Sequence, residues 1–401
     1  MNQRIDLTMV LLVTSLIGAG IISIYSATYD AGLSDIAAKQ LLWAGLGLVG
    51  SSIVAFLPFR VLHRLSYPAY FATLLALVSV LLLGRTVSGS TSWLSIGTLR
   101  FQPSEFAKVT TALALSAYMA RGEVNLSNFK HLVMASGIVL LPVGLIIMQP
   151  DMGTAIIYLA MFLPVMYWGG ATKFTMIAMV APGVSAIAAL FGTTPFLIAV
   201  VVLGVLLYVT KENRIAAAVI FSLTVLVGVS VQFIYAGLKP YQQNRIATFL
   251  DPNADPLGAG YNVLQSKVAI GSGGLLGKGY LEGTQTQLRF IPEQWTDFIY
   301  CVPGEEFGFL GAATVLVLFF ALLWRGIHLG GTVKAPFGSI LAVCITSIFA
   351  AHVFINIGMS LGLLPVIGVP LPFLSYGGSA LMSNMIMTGI LMNLYAHRKD
   401  Y

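Results

Sequence analysis

Charge is what this chain has least of: Asp, Glu, Lys and Arg make up 9% of its 401 residues, against about 25% in a soluble domain. That is too little charge to cover a water-soluble protein of this length, and that class is excluded. Cysteine is nearly missing too. Cys301 and Cys344 are far apart and form no CxxC pattern, so neither a disulfide framework nor a zinc site is expected. Cys344 sits in an apolar run and reads as a buried free thiol. The net charge of +6 comes without a basic patch, which leaves nucleic acid no surface to bind. No long internal repeat is present. A short echo, Gln102-Pro103-Ser104 and Gln149-Pro150-Asp151, places a helix-starting proline at two boundaries but does not amount to an inverted repeat.

What the chain does have is apolar length. Hydrophobic residues make up 57% of it, and a membrane span needs about 20 apolar residues. Runs of that kind cover 7–28, 38–59, 67–84, 103–121, 131–148, 153–170, 172–191, 195–210, 214–237, 304–325, 336–361 and 377–397. Backbone polar groups cannot stay bare in hydrocarbon, so these runs must be helical. The expected fold is an all-α, polytopic membrane helical bundle of about twelve spans. It forms one integral membrane domain over 1–401, with a large extracytoplasmic loop at 238–302. The first run outlasts the apolar core of a signal peptide and is followed by many others, so it reads as a retained helix.

Charge asymmetry orients the bundle. Alternate connections carry Arg4, Arg60 and Arg64, Arg121 and Lys130, Lys173, Lys211 and Arg214, Arg325 and Lys334, then Arg398 and Lys399. Short basic connections mark the cytoplasmic side, so both termini are expected inside. The loop 238–302 then lies outside. It mixes polar residues with Tyr261, Val263, Leu276, Tyr280, Phe290 and Trp295, a pattern that predicts folded structure with short amphipathic helices, one near Gly260–Ile270.

Several motifs could carry chemistry. The glycine-rich stretch Gly271–Gly279 invites a phosphate-loop reading but lacks two requirements: Ser272 stands where a Walker glycine belongs, and Gly279 follows Lys278 where Ser or Thr is needed. A tight connection, or amides lining an anionic substrate, are the readings left. In Phe101–Lys108, Glu105 and Lys108 are three apart and share a helix face. They form either a structural ion pair or, through Lys108 or Arg100, a contact to a phosphate or sugar. Asp151 follows Pro150 and reads first as a helix cap. His352 and Asn356, four apart in an apolar helix, suggest interhelical hydrogen bonding, and the adjacent Glu305 and Glu306 point about 100° apart on a helix. Asp297 stands out, in Ile291-Pro292-Glu293-Gln294-Trp295-Thr296-Asp297, where the polar loop runs into the next helix. A half-desolvated carboxylate there suits a general base, and a helix cap equally well.

Taken together, Phe101–Lys108 (FQPSEFAK), Gln149–Ala155 (QPDMGTA), Phe249–Gly274, Gly277–Gly308 and Leu363–Ser379 (LLPVIGVPLPFLSYGGS) resemble the shape, elongation, division and sporulation family of membrane glycosyltransferases. Gly368-Val369-Pro370-Leu371-Pro372 is closer to the rod-shape polymerases of that family than to its division members. The resemblance implies a cytoplasmic-membrane enzyme of cell elongation that joins lipid II units into glycan strands. It implies Asp297 as general base, with Arg100, Lys108 and Lys267 as candidates for the departing pyrophosphate; Glu105 and Asp151 complete the substrate-site candidates. No metal site or cofactor is expected, though a divalent cation is left open. The expected partner is a monofunctional class B penicillin-binding transpeptidase. A lipid II flippase and a non-catalytic transpeptidase scaffold are the rival functions. Two departures from the family pattern stand out: an extra pair of spans near 195–237, and Trp295 with Cys301-Val302-Pro303-Gly304 where His and Ala/Leu-rich residues are usual.

Overall fold

The structure, a computed structural model, describes residues 5–29, 35–87, 90–96, 99–211, 213–237, 260–292 and 294–399. Among them, helices α1 (Leu7–Thr28), α2 (Asp35–Phe56) and α3 (Phe59–Leu83) come first. Strands β1 (Arg85–Val87), β2 (Ser90–Ile96) and β3 (Leu99–Phe101) follow. Then come α4 (Pro103–Met119), α5 (Phe129–Ile147), α6 (Met152–Trp168), α7 (Lys173–Leu190), α8 (Thr193–Thr210) and α9 (Arg214–Gly237). After the long connection are α10 (Tyr261–Ser272), α11 (Thr284–Gln287), α12 (Cys301–Glu306), α13 (Gly308–Thr332), α14 (Pro336–Ser360) and α15 (Gly378–Ala396).

Nine of the described helices (α1, α2, α3, α5, α7, α8, α9, α13 and α14) are long and apolar enough to cross a membrane. α6 is apolar but shorter. Each of the twelve expected spans overlaps at least one helix, and α4 and α15 account for the two spans not yet named. The helix ends follow local chemistry. Asp6 caps α1 through Met9 N (3.3 Å) and is held by Arg325 Nε at 2.6 Å. Thr172 caps α7 through Thr175 N, and prolines open α4 and α14, where a missing N–H costs nothing.

Two features depart from the expectation. α3 starts at Phe59, eight residues earlier than its apolar run, because Pro58 sets the start. Arg60 and Arg64 therefore ride on its first turns instead of a loop. Residues 85–87, 90–96 and 99–101 form an antiparallel sheet in order β1-β2-β3, with Arg85 opposite Trp93 and Ser95 opposite Arg100. An all-α reading overlooks it because β1 and β3 have only three residues each and β2 does not alternate polar and apolar residues. The predicted amphipathic helix is α10; residues 238–259 of the long loop lie outside the described residues.

The chain forms two compact units. One holds α1–α4, the sheet, most of α5 and α6, and α10–α15. Its axis is α14: 78% of its most apolar stretch is buried, against 17% for α2. α14 packs on α4, α13 and α15. Among the described residues the other unit comprises 125–132, 166–211 and 213–237, in which α7 packs on α8 and α9 around Phe174, Leu207 and Ala217. Close approach there depends on small residues, with Gly228 against the Phe196 ring and Gly204 against Phe221. The helices α8 and α9, over the stretch 195–237, belong to this unit.

Candidate functional site

Three consecutive carbonyls around Asp297 are all taken up by the α14–α15 region. Trp295 O accepts from Tyr376 N (2.9 Å), Thr296 O from Ser375 Oγ (2.6 Å) and Asp297 O from Asn356 Nδ2 (2.8 Å). Buried carbonyls need partners, and a turn with each one satisfied in series has little freedom to rotate. The flanking Phe298, Ile299 and Tyr300 are buried, while Asp297 itself is half-buried. One carboxylate oxygen, Oδ2, comes so near Gly368 that a Cβ there would lie 3.4 Å from it. Gly368 has φ +66°, a conformation that glycine adopts without the strain a side chain brings.

The 361–377 segment that faces Asp297 is anchored on several sides. Gln40, on α2, donates to Ser375 O (3.1 Å) and accepts from Gly377 N (3.3 Å). A Cβ on Gly20 of α1 would meet Phe373 O at 2.6 Å, and one on Gly153 of α6 would meet Ile367 O at 2.5 Å. Both glycines are thus required by close helix–backbone packing. On α14, Asn356 Nδ2 also donates to Val369 O (2.7 Å), and one turn earlier His352 Nδ1 lies 2.9 Å from Pro370 O.

The expected site residues fall into two groups. Asp297, Asp151 and Lys267 border the same stretch of chain. Asp151 caps α6 by accepting from Thr154 N (3.1 Å) and Thr154 Oγ1 (2.9 Å), and it also accepts from Gln102 Nε2 (3.1 Å). Through Gly153, that helix start abuts Ile367 and Gly368. Lys267 is exposed on α10, with its side chain laid across Gly362. Glu105 and Lys108 lie elsewhere, sealed inside the bundle at 3% and 1% exposure. Lys108 Nζ contacts Glu105 at 2.9–3.0 Å and His352 Nε2 at 2.8 Å. Arg100 is paired through β3, and its side chain lies outside the described residues.

The glycine-rich stretch turns out to be a cradle for protein. Its amides at Lys278 and Gly279 donate to Glu305 O and Glu306 O (both 3.1 Å). Side chains on Gly273, Gly277 or Gly308 would collide with facing backbone. Glu305 accepts from Lys278 Nζ (2.7 Å), Gln285 N (2.8 Å), Thr286 N (2.9 Å) and Thr286 Oγ1 (2.8 Å). Burial pushes its carboxyl up, but Lys278 and the amides outweigh this and hold it below the usual carboxylate range. For Glu306, which accepts from Ser26 Oγ and Gln287 Nε2, burial wins and the carboxyl is pushed up. These bonds tie the segment after α10 to α1 and α12. No group of three or more His, Cys, Asp or Glu suited to a metal ion occurs among the described residues.

The interhelical bonding expected of His352 reaches Lys108 on α4, whereas Asn356 donates to the non-helical carbonyls of Asp297 and Val369; no expectation covers Gln40, or the direct roles of Ser375 and Tyr376. The signal for the last two was present, since both stand in the Leu363–Ser379 motif.

Comparison with known proteins bears on the family and the fold. The chain matches the family described as "Cell cycle protein" (FtsW, RodA, SpoVE) over residues 6–201 and 191–400. It is 36% identical to the peptidoglycan glycosyltransferase MrdB of Escherichia coli K12, over 99% of this chain and 95% of that one. It is 33% identical to the peptidoglycan glycosyltransferase RodA of Treponema pallidum, over 98% of each chain. A chain of a solved peptidoglycan synthase complex superposes with a TM-score of 0.77 at 28% identity, covering 99% of both chains. The crystal structure of the rod shape determining protein RodA of Thermus thermophilus does so with a TM-score of 0.66 at 25% identity, covering 99% and 98%. With the family matched from one end to the other, this chain is a multi-pass membrane protein that belongs to the FtsW, RodA and SpoVE family.

Proposed function

We propose that the chain is an inverting peptidoglycan glycosyltransferase that polymerises lipid II into glycan strands during cell elongation. The observation that carries this is the pinning of the Asp297 turn at Trp295, Thr296 and Asp297, which presents one carboxylate beside Gly368. Asp297 takes the proton from the acceptor sugar's 4-hydroxyl as that oxygen attacks the anomeric carbon of the donor. The lipid pyrophosphate leaves from the opposite face with the bonding electrons, and the configuration inverts. Glycosyl transfer of this kind passes through an oxocarbenium-like state, with negative charge growing on the leaving group. Lys267 is exposed near the same segment and is the candidate to meet that charge, with Arg100. Lys108, engaged by Glu105 and His352, serves the framework instead. Asp151 borders the substrate space through its helix start.

The protein sits in the bacterial cytoplasmic membrane with twelve spans and both termini inside, and residues 238–302 and the Asp297 site outside. The short basic connections support that orientation. A monofunctional class B penicillin-binding transpeptidase is its partner, to cross-link the strands it makes. The test is polymerisation of lipid II by the purified protein, with and without the transpeptidase. Glycan strands are expected in both arms and in greater yield with the partner. Transbilayer movement of lipid II without strands would make the chain a flippase, and neither activity would leave a scaffold.

A further inference from the structure

His352 and Asn356 are one helical turn apart on α14, so their side chains share a face. They seize consecutive carbonyls of the segment opposite: Pro370 O by His352 Nδ1 (2.9 Å) and Val369 O by Asn356 Nδ2 (2.7 Å). The second proton on Asn356 Nδ2 goes to Asp297 O at 2.8 Å. One side-chain amide thus joins the turn carrying Asp297 to the segment carrying Gly368. The His352 tautomer follows from its partners. A carbonyl can only accept, so Nδ1 carries a proton toward Pro370 O. An ammonium can only donate, so Nε2 accepts from Lys108 Nζ at 2.8 Å. Lys108, paired with Glu105 at 2.9 Å, keeps the ring neutral with its donor aimed at the loop.

We infer that Asn356 and His352 are positioning residues for Asp297, and that the buried Glu105–Lys108 pair acts on the reaction by fixing the His352 tautomer. This rests on Asp297 being the general base. None of the four needs to touch substrate. Their joint effect is to hold the Oδ2–Gly368 approach constant, and a misplacement of about 1 Å in such a site costs on the order of 100-fold in rate.

The experiment measures kcat and KM for lipid II polymerisation together with melting temperature in detergent. Asn356→Leu keeps the volume and removes the donor; kcat should fall roughly 10–100-fold with KM changed less than about twofold. Placed in an Asp297→Asn protein, the same change should cost less than roughly threefold more, because there is no base left to misplace. His352→Asn sets an amide donor near the Nδ1 position and should stay within about threefold of wild type, whereas His352→Gln sets its amide near Nε2 and should fall as Asn356→Leu does. The His352 pair carries the test if Asn356→Leu does not fold. A full Asn356→Leu loss repeated in the Asp297→Asn background, or His352→Gln at wild-type rate, overturns the inference. Asp297→Asn polymerising normally removes the base itself and overturns both readings, so the two failures are distinguishable.

Discussion

Glu305 and Glu306 are neighbours, both sealed from solvent, yet their surroundings move their protons in opposite directions. Glu305 is held below the ordinary carboxyl value of 4.5 by Lys278 and two amides, against the effect of burial. Its contribution to stability is therefore present above 4.5 and lost as pH falls through the lower folded value. Glu306 is pushed above 4.5 by burial, so its contribution is present below 4.5 and lost as pH rises through the higher folded value. Glu305→Gln should accordingly lower the detergent melting temperature at neutral pH, with the gap to wild type closing in acid. Glu306→Gln mimics the neutral form and should melt at or above wild type at neutral pH; a large loss there would contradict the assignment. Lys108 makes a second case. Removing one partner of a buried pair costs about 3–5 kcal/mol, so Lys108→Met should be much less stable than Lys108→Met combined with Glu105→Gln. A double-mutant cycle on detergent stability measures that coupling, and strict additivity would mean the pair does not hold the bundle.

At the scale of elements, glycine decides how closely segments meet. Gly277 has φ +86°, and a Cβ there would strike the Glu306 carbonyl. Gly277→Ala should cost the left-handed strain of about 1–2 kcal/mol plus displacement of α12, seen as a lower melting temperature; unchanged melting would mean the cradle yields freely. The helices themselves were readable as apolar runs, since bilayer thickness imposes both length and composition. The start of α3 was not, because Arg60 and Arg64 interrupt the apolar run while Pro58 opens the helix. Nor was the sheet of β1, β2 and β3, because β1 and β3 have three residues each and the seven of β2, STSWLSI, do not alternate polar and apolar. Within the site, Asp297 and Asp151 were legible as carboxylates at element boundaries. The partners of Asn356, His352 and Gln40 were not, because each bond closes between residues far apart in the chain except those of Asn356 and His352 to 369–370. Those two depend on how the intervening loop folds back, which residue types alone do not determine.

At the scale of the whole molecule, orientation and catalysis each have a direct readout. Both native cysteines are buried at 0% exposure, so a single introduced thiol reports without background. Ser272 is exposed at the end of α10; Ser272→Cys should react with an impermeant maleimide in intact cells whose outer barrier is open. Reaction only after the cytoplasmic membrane is permeabilised would invert the topology. In the mechanism proposed above, one carboxylate, its turn held by hydrogen bonds from α14 and the 361–377 segment to main-chain carbonyls, deprotonates the acceptor sugar. Asp297→Asn keeps the size of the side chain and, because the pinning bonds fall on main-chain carbonyls, leaves them intact. Strand synthesis from lipid II by wild type and Asp297→Asn at matched protein levels is the direct measurement. Loss of general-base catalysis predicts a rate lower by roughly 10²–10⁴-fold with melting temperature little changed, whereas strand synthesis by the variant at a near wild-type rate would contradict the account.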